Sequence, residues 1–136
     1  MKADERIFRR YVAAAECYLS NSMEMLSKNE PSKAGELLWG AVVAGTKAAA
    51  ASKGMKNLKY GPCKRFAQEA ARDLKQPDLF HTFLAAESFH GKFYESATTM
   101  EEVEAVLEAA REYIATMLRA AGFDPSRADL GQGAKS

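Results

Sequence analysis

No stretch of this chain approaches the ~18 consecutive apolar residues that a membrane span needs. The opening MKADERIFRR carries charge where a signal peptide would be apolar. Both absences point to the cytoplasm, with no membrane partner. Cysteine is scarce: Cys17 and Cys63 are the only two. They form neither a disulfide framework nor a Cys/His metal spacing, and each falls among apolar residues in a helical pattern, which predicts two reduced core thiols. Excess charge is missing as well. A net charge of +1, from 19 basic against 18 acidic residues, excludes a strongly basic nucleic-acid protein by bulk charge and leaves room only for a local patch. GxxxxGK[ST] and GxGxxG runs are absent, as is any Ser/His/Asp set that periodicity would assemble. The sequence implies no cofactor and no metal. It also lacks period-two alternation of β-branched residues, so strands have no support.

What is present is helical periodicity. The 136 residues suit one domain with a real core. From about Ala3 to Lys28, Phe8, Val12, Ala15, Leu19, Met23 and Leu26 trace one apolar stripe. Asn29-Glu30-Pro31 breaks it, and Pro31 suits the first position of a second helix. That helix should reach about Ser52 with Ala34, Leu37, Leu38, Ala41, Val42, Gly45, Ala48 and Ala49 inward, and Gly54 as its left-handed stop. Its small residues, Gly40, Ala41, Ala44, Gly45 and Ala48, let neighbours approach closely and place it at the bundle's centre. Pro62 opens a third helix to about Leu74. Gln76-Pro77-Asp78 starts a fourth, which carries LFHTFLAAESFHGKFYE and whose aromatics (Phe80, Phe83, Phe89, Phe93, Tyr94) read mostly as packing. Thr99 with Glu102 forms a capping box for the last helix; Val103, Val106, Leu107, Ala110, Ile114, Met117 and Leu118 are its buried stripe, and Gly122 ends it. The reading is an all-α antiparallel bundle of about five helices over residues 1–122. Residues 123–136, with little apolar surface, form a flexible tail.

Charge is unevenly spread. Between Glu36 and Glu69 there is no acidic residue, yet Lys47, Lys53, Lys56, Lys59, Lys64 and Arg65 all fall there. Most bracket the loop between the second and third helices. Such a cluster holds a phosphate backbone, or else is a solvated loop whose lysines complement a helix C-terminus. The acidic start of the last helix, with Glu101, Glu102, Glu104 and Glu108, offers a counterpart on a second copy.

The order of these pieces resembles a HEPN domain and, within that superfamily, the small archaeal and bacterial PaREP-type proteins. The likeness rests on Ala34, Glu36, Leu38, Trp39, Gly40, Ala41, Lys47 and Ala48 in the second helix and on FHGKFYE at Phe89 to Glu95 in the fourth, and it spans roughly Arg6 to Ala121. It implies an antiparallel bundle, usually a homodimer, with a link to RNA or nucleotides. Many HEPN proteins are metal-independent RNases, often toxins beside a nucleotidyltransferase-type partner. The family's catalytic motif is an Arg followed, after four to six residues, by a His. Here the His is His90, and the Arg position falls on Phe83, Leu84 or Ala85, none of them basic.

His90 suits deprotonation of a ribose 2′-OH, with Lys92 or Lys47 as a substitute cation. Alternatively it caps its own helix or bonds Glu87 or Glu95. His81, nine positions earlier and half a turn round, belongs to the surface or an interface and cannot share a site with His90. Glu36 reads first as a solvated acid complementing the helix dipole, Trp39 as packing, and Tyr94 as a packed ring with a wet hydroxyl. The leading expectation is a homodimeric binding or regulatory module for nucleic acid or nucleotide, contacting it through Lys53, Lys56, Lys59, Lys64, Arg65 and Lys92. The alternatives are an RNase using His90 and a structural dimer with no ligand.

Overall fold

The computed structural model describes residues 3–95 and 97–124. These form five helices: α1 (Ala3–Ser27), α2 (Pro31–Ala51), α3 (Tyr60–Asp73), α4 (Asp78–Lys92) and α5 (Met100–Ala120). A single 3₁₀ turn, Phe93–Glu95, extends α4. Among the described residues there is no strand, so the all-α bundle expected from periodicity is the fold. The expected tail lies, from residue 125 on, outside the described residues. Phe123, expected to begin it, packs edge-on against Phe8 at 5.6 Å between ring centroids.

The breaks follow local chemistry. Pro31 opens α2, where its missing N–H costs nothing. Gly54 and Gly122 take the left-handed conformation beyond α2 and α5, with φ of 84° and 85°. Asn29 and Lys75 adopt positive φ after α1 and α3, turning the chain where no glycine is available. At the start of α5, Thr99 Oγ1 accepts from the Glu102 N–H at 3.2 Å, while Glu102 Oε1 accepts from the Thr99 N–H at 2.9 Å. A reciprocal cap of this kind is worth about 1 kcal/mol. The Thr99 N–H, followed by Lys92, holds the Glu102 carboxyl below its ordinary pKa.

α2 is central: it packs against each of the other four helices. Its small residues make this possible. A Cβ at Gly35 would stand 2.9 Å from Phe89 Cγ, closer than packed atoms allow, so α4 sits where it does only against glycine; one at Gly45 would stand 3.1 Å from Ile114 Cγ1, a tight contact with α5. Between α2 and α5 lies a polar link the periodicity did not disclose. Thr46 Oγ1 donates to the Val42 carbonyl at 2.8 Å and lies 2.6 Å from Tyr113 Oη. With the threonine proton committed to Val42, Tyr113 is the donor. Tyr113 is 1% exposed, and burial pushes its pKa up.

The two cysteines differ from expectation in one respect. Cys63 is buried, but Cys17 is exposed. Ala15 and Leu19 occupy the α1 face that meets α2, and Cys17, two residues from each, points away by roughly 200°. Burial pushes the Cys63 thiol up to about 11, so it stays protonated at neutral pH and unreactive. An Ellman titration of the folded chain at pH 8 should therefore register one fast thiol, from Cys17, with the second released only on denaturation. Two fast thiols would contradict the buried placement of Cys63.

Candidate functional site

Glu36, Trp39, Val43 and Lys47 recur on α2 at steps of three and four, which places them on one stripe. Phe83, Glu87 and His90 do the same on α4. The start of α3 brings Lys59, Tyr60 and Cys63 against both stripes. Together with Leu58 and Gly91 these elements enclose a cleft of about 640 Å³. Its floor is apolar: Trp39 meets Phe83 edge-on at 5.1 Å between centroids, beside Val43, Leu58 and Cys63. The polar groups stand higher. Lys47 is half-buried, whereas Lys59, Tyr60 and His90 are exposed.

His90 does not cap its helix or bond Glu87 or Glu95. Its Nδ1 lies 3.0 Å and 3.1 Å from the two carboxylate oxygens of Glu36, 54 positions away on α2. Nδ1 therefore donates to the carboxylate, and Nε2 is the remaining nitrogen. Glu36 is accordingly neither a free surface acid nor a dipole partner, since it sits in the second turn of α2, where α4 crosses it. The His90 ring lies tilted over Trp39 at 6.4 Å. One turn earlier on α4, Glu87 faces the Lys64 ammonium at 3.5 Å. Burial lifts the Glu87 carboxyl above its ordinary pKa, and the nearby His90 opposes that rise.

The cations expected to act together are divided by the fold. Lys59 lines the cleft, joined by Lys47. Lys64 stands at its rim, with its ammonium 3.3 Å from Tyr60 Oη and 5.6 Å from that ring's centroid. Lys53 lines a separate groove shared with α5. Lys92 bonds Glu102 at 3.1 Å and lies 5.9 Å over the Phe89 ring, committed to the junction with α5. Lys56 and Arg65 are exposed outside the cleft. His81 is 71% exposed, with Nδ1 3.5 Å from Asp78 Oδ1, and takes no part in the His90 site. Tyr94, expected as a packed ring, is 85% exposed: the chain tightens into the 3₁₀ turn there, and the ring meets Phe93 edge-on at 5.0 Å.

The position at which the resemblance expects an Arg is taken up by packing. Seven residues before His90, at about 700° of helical rotation, Phe83 returns to nearly the same face. It is 0% exposed, wedged between Trp39 and a stacked Phe80 at 6.0 Å. That position belongs to the floor of the cleft. Leu84 is exposed but lies about 120° away from His90 around the helix.

Chemically, the cleft offers an aromatic and aliphatic base, two ammonium groups, and an imidazole oriented by a carboxylate. Among the described residues no group of three His, Cys, Asp or Glu side chains is placed to hold a metal ion, and no helix is long and apolar enough to cross a membrane. The model of the archaeal PaREP1/PaREP8 family matches the chain over residues 10–114. No curated protein and no solved structure matches it.

Proposed function

The chain belongs to the archaeal PaREP1/PaREP8 family, and from that premise we propose that it is a HEPN-like binding module taking a nucleotide unit, free or within RNA, in the cleft between α2, α3 and α4. One observation carries the proposal: an apolar cleft floored by Trp39 and Phe83 has Lys47, Lys59 and His90 around it. A nucleotide has the matching halves, a flat base for the apolar floor and Tyr60, and a phosphate for the cations. Most ligand sites share this pattern of an apolar recess with a few placed polar groups.

A second reading, metal-independent RNA cleavage, has the Glu36–His90 pair in its favour, because an imidazole held through Nδ1 leaves Nε2 to take a proton from a ribose 2′-OH. Phe83 stands where that chemistry would want a guanidinium to stabilise the phosphorane charge.

Trp39 is the only tryptophan and reports on the cleft directly. Titrating uridine 5′-monophosphate at low salt should change its fluorescence saturably, and incubation with a mixed RNA pool should leave the RNA intact. An unchanged signal at millimolar nucleotide would sink the binding proposal. Cleavage that disappears in His90→Ala would establish the RNase reading instead.

A further inference from the structure

A second cavity, of about 490 Å³, opens where the C-terminal end of α3 meets the start of α4. Arg72 and Lys75 line it with His81, around an apolar base of Pro77 and Phe80. Neither Arg72 nor Lys75 has an ion-pair or hydrogen-bond partner for its side chain among the described residues. Asp78 stands 3.5 Å from His81. The acids of α3, Glu69 and Asp73, point away and line the groove against α5. Arg72 lies in the last turn of α3 and His81 in the first turn of α4, so the short turn between the helices brings them to one cavity.

The two cavities are continuous in chemistry. Phe80, at the base of the second, stacks on Phe83, in the floor of the first. On the wheel of α3, Tyr60, Lys64, Gln68 and Ala71 fall within about 80° of one another, and the left-handed turn at Lys75 closes the same end of the groove. On α4, Phe80, Leu84, Glu87 and Gly91 fall within about 60°. These stripes face the same groove between antiparallel helices, and two of its members, Tyr60 and Leu84, are exposed apolar side chains at 54% and 36%. From Cys63 to Ala71 the groove runs about 12 Å, at 1.5 Å per residue.

We infer that the α3–α4 groove is a track for single-stranded nucleic acid, with the Arg72–Lys75–His81 cavity taking a phosphate downstream or upstream of the nucleotide held in the first cleft. The inference rests on the proposed function and deepens it by naming the ligand as a strand rather than a mononucleotide. Two groups of cations, linked through Phe80 and Phe83 and with Glu87 between them paired to Lys64, match alternating phosphates and bases. A monophosphate seated between Lys47 and Lys59 does not reach the second group. An acidic polypeptide would satisfy the charges and leave the aromatic floor without a flat partner.

The test compares uridine 5′-monophosphate with a uridine tetranucleotide on the full chain, in wild type and in the Arg72→Gln/Lys75→Gln double variant, with polyglutamate as competitor. The tetranucleotide should bind the wild type about tenfold more tightly than the mononucleotide. The double variant should lose most of that gain and keep its mononucleotide affinity, which also certifies its fold. A gain that survives the double substitution would overturn the track while leaving the cleft intact, as would a wild type that binds both ligands equally. Displacement by polyglutamate as effective as by oligonucleotide would assign the groove to an acidic partner. Failure of both nucleotides to bind the wild type would remove the cleft and the track together.

Discussion

Phe83→Arg should unfold or severely weaken the protein, even though it places an arginine at the HEPN spacing before His90. The native ring is 0% exposed and packs on Trp39 and Phe80. Removing such a ring costs about 3–5 kcal/mol through lost contacts and cavity formation. A guanidinium in the same place adds the cost of burying a charge, and among the described residues the cleft carboxylates are already engaged, Glu36 by His90 and Glu87 by Lys64. The expected loss is therefore about 4 kcal/mol or more, a large fraction of a typical 5–15 kcal/mol stability. Circular dichroism should show a Tm lowered by more than ~10 °C. Leu84→Arg, at an exposed site, should change stability by no more than ~0.5 kcal/mol. A Phe83→Arg protein that melts like wild type would mean the floor of the cleft is not packed as described.

Replacing Lys47 and Lys59 together by glutamine should weaken uridine 5′-monophosphate binding at least about tenfold, since each charged hydrogen bond to a phosphate contributes about 1.5–3 kcal/mol. Neither ammonium has an ion-pair partner among the described residues, so the fold loses little. Lys59 precedes α3 without a side-chain cap, and Lys47, half-buried against Cys63, reaches the cleft with its stem packed. Lys92→Gln makes the contrasting control: its ammonium is held by Glu102, and its loss should leave affinity unchanged. Equal weakening in the two variants would point to a diffuse charge effect rather than a site.

Much of the bundle was legible because helix boundaries and buried stripes are local properties. Pro31, Gly54, Gly122 and the Thr99–Glu102 box each act within a few residues, and the small face of α2 announces close packing through residue type alone. The site was legible only in part. His90 and Lys59 could be singled out, but the Glu36–His90 pair bridges 54 positions, and no periodicity links residues on different helices. Its only trace was the three-and-four spacing of Glu36, Trp39, Val43 and Lys47, which extends a polar residue at each end of an apolar stripe. The basic loop misled for a related reason. Residues close in sequence around a turn face different sides, so Lys53 lines the groove against α5, Lys59 lines the cleft and Lys64 pairs with Glu87. Tyr113 was hidden because its ring reads as generic packing until Thr46 is seen opposite it at 2.6 Å.

The proposed nucleotide site lies between Trp39, Lys47, Lys59 and His90. Heteronuclear NMR of the full chain with uridine 5′-monophosphate locates the ligand without reliance on affinity. The prediction is that the Trp39 indole N–H, the His90 ring protons and the backbone of Lys59 to Cys63 shift first and most, while the exposed face of α5 stays still. Shifts centred on α5 or on the Lys53 groove, with the Trp39 indole unmoved, would contradict it.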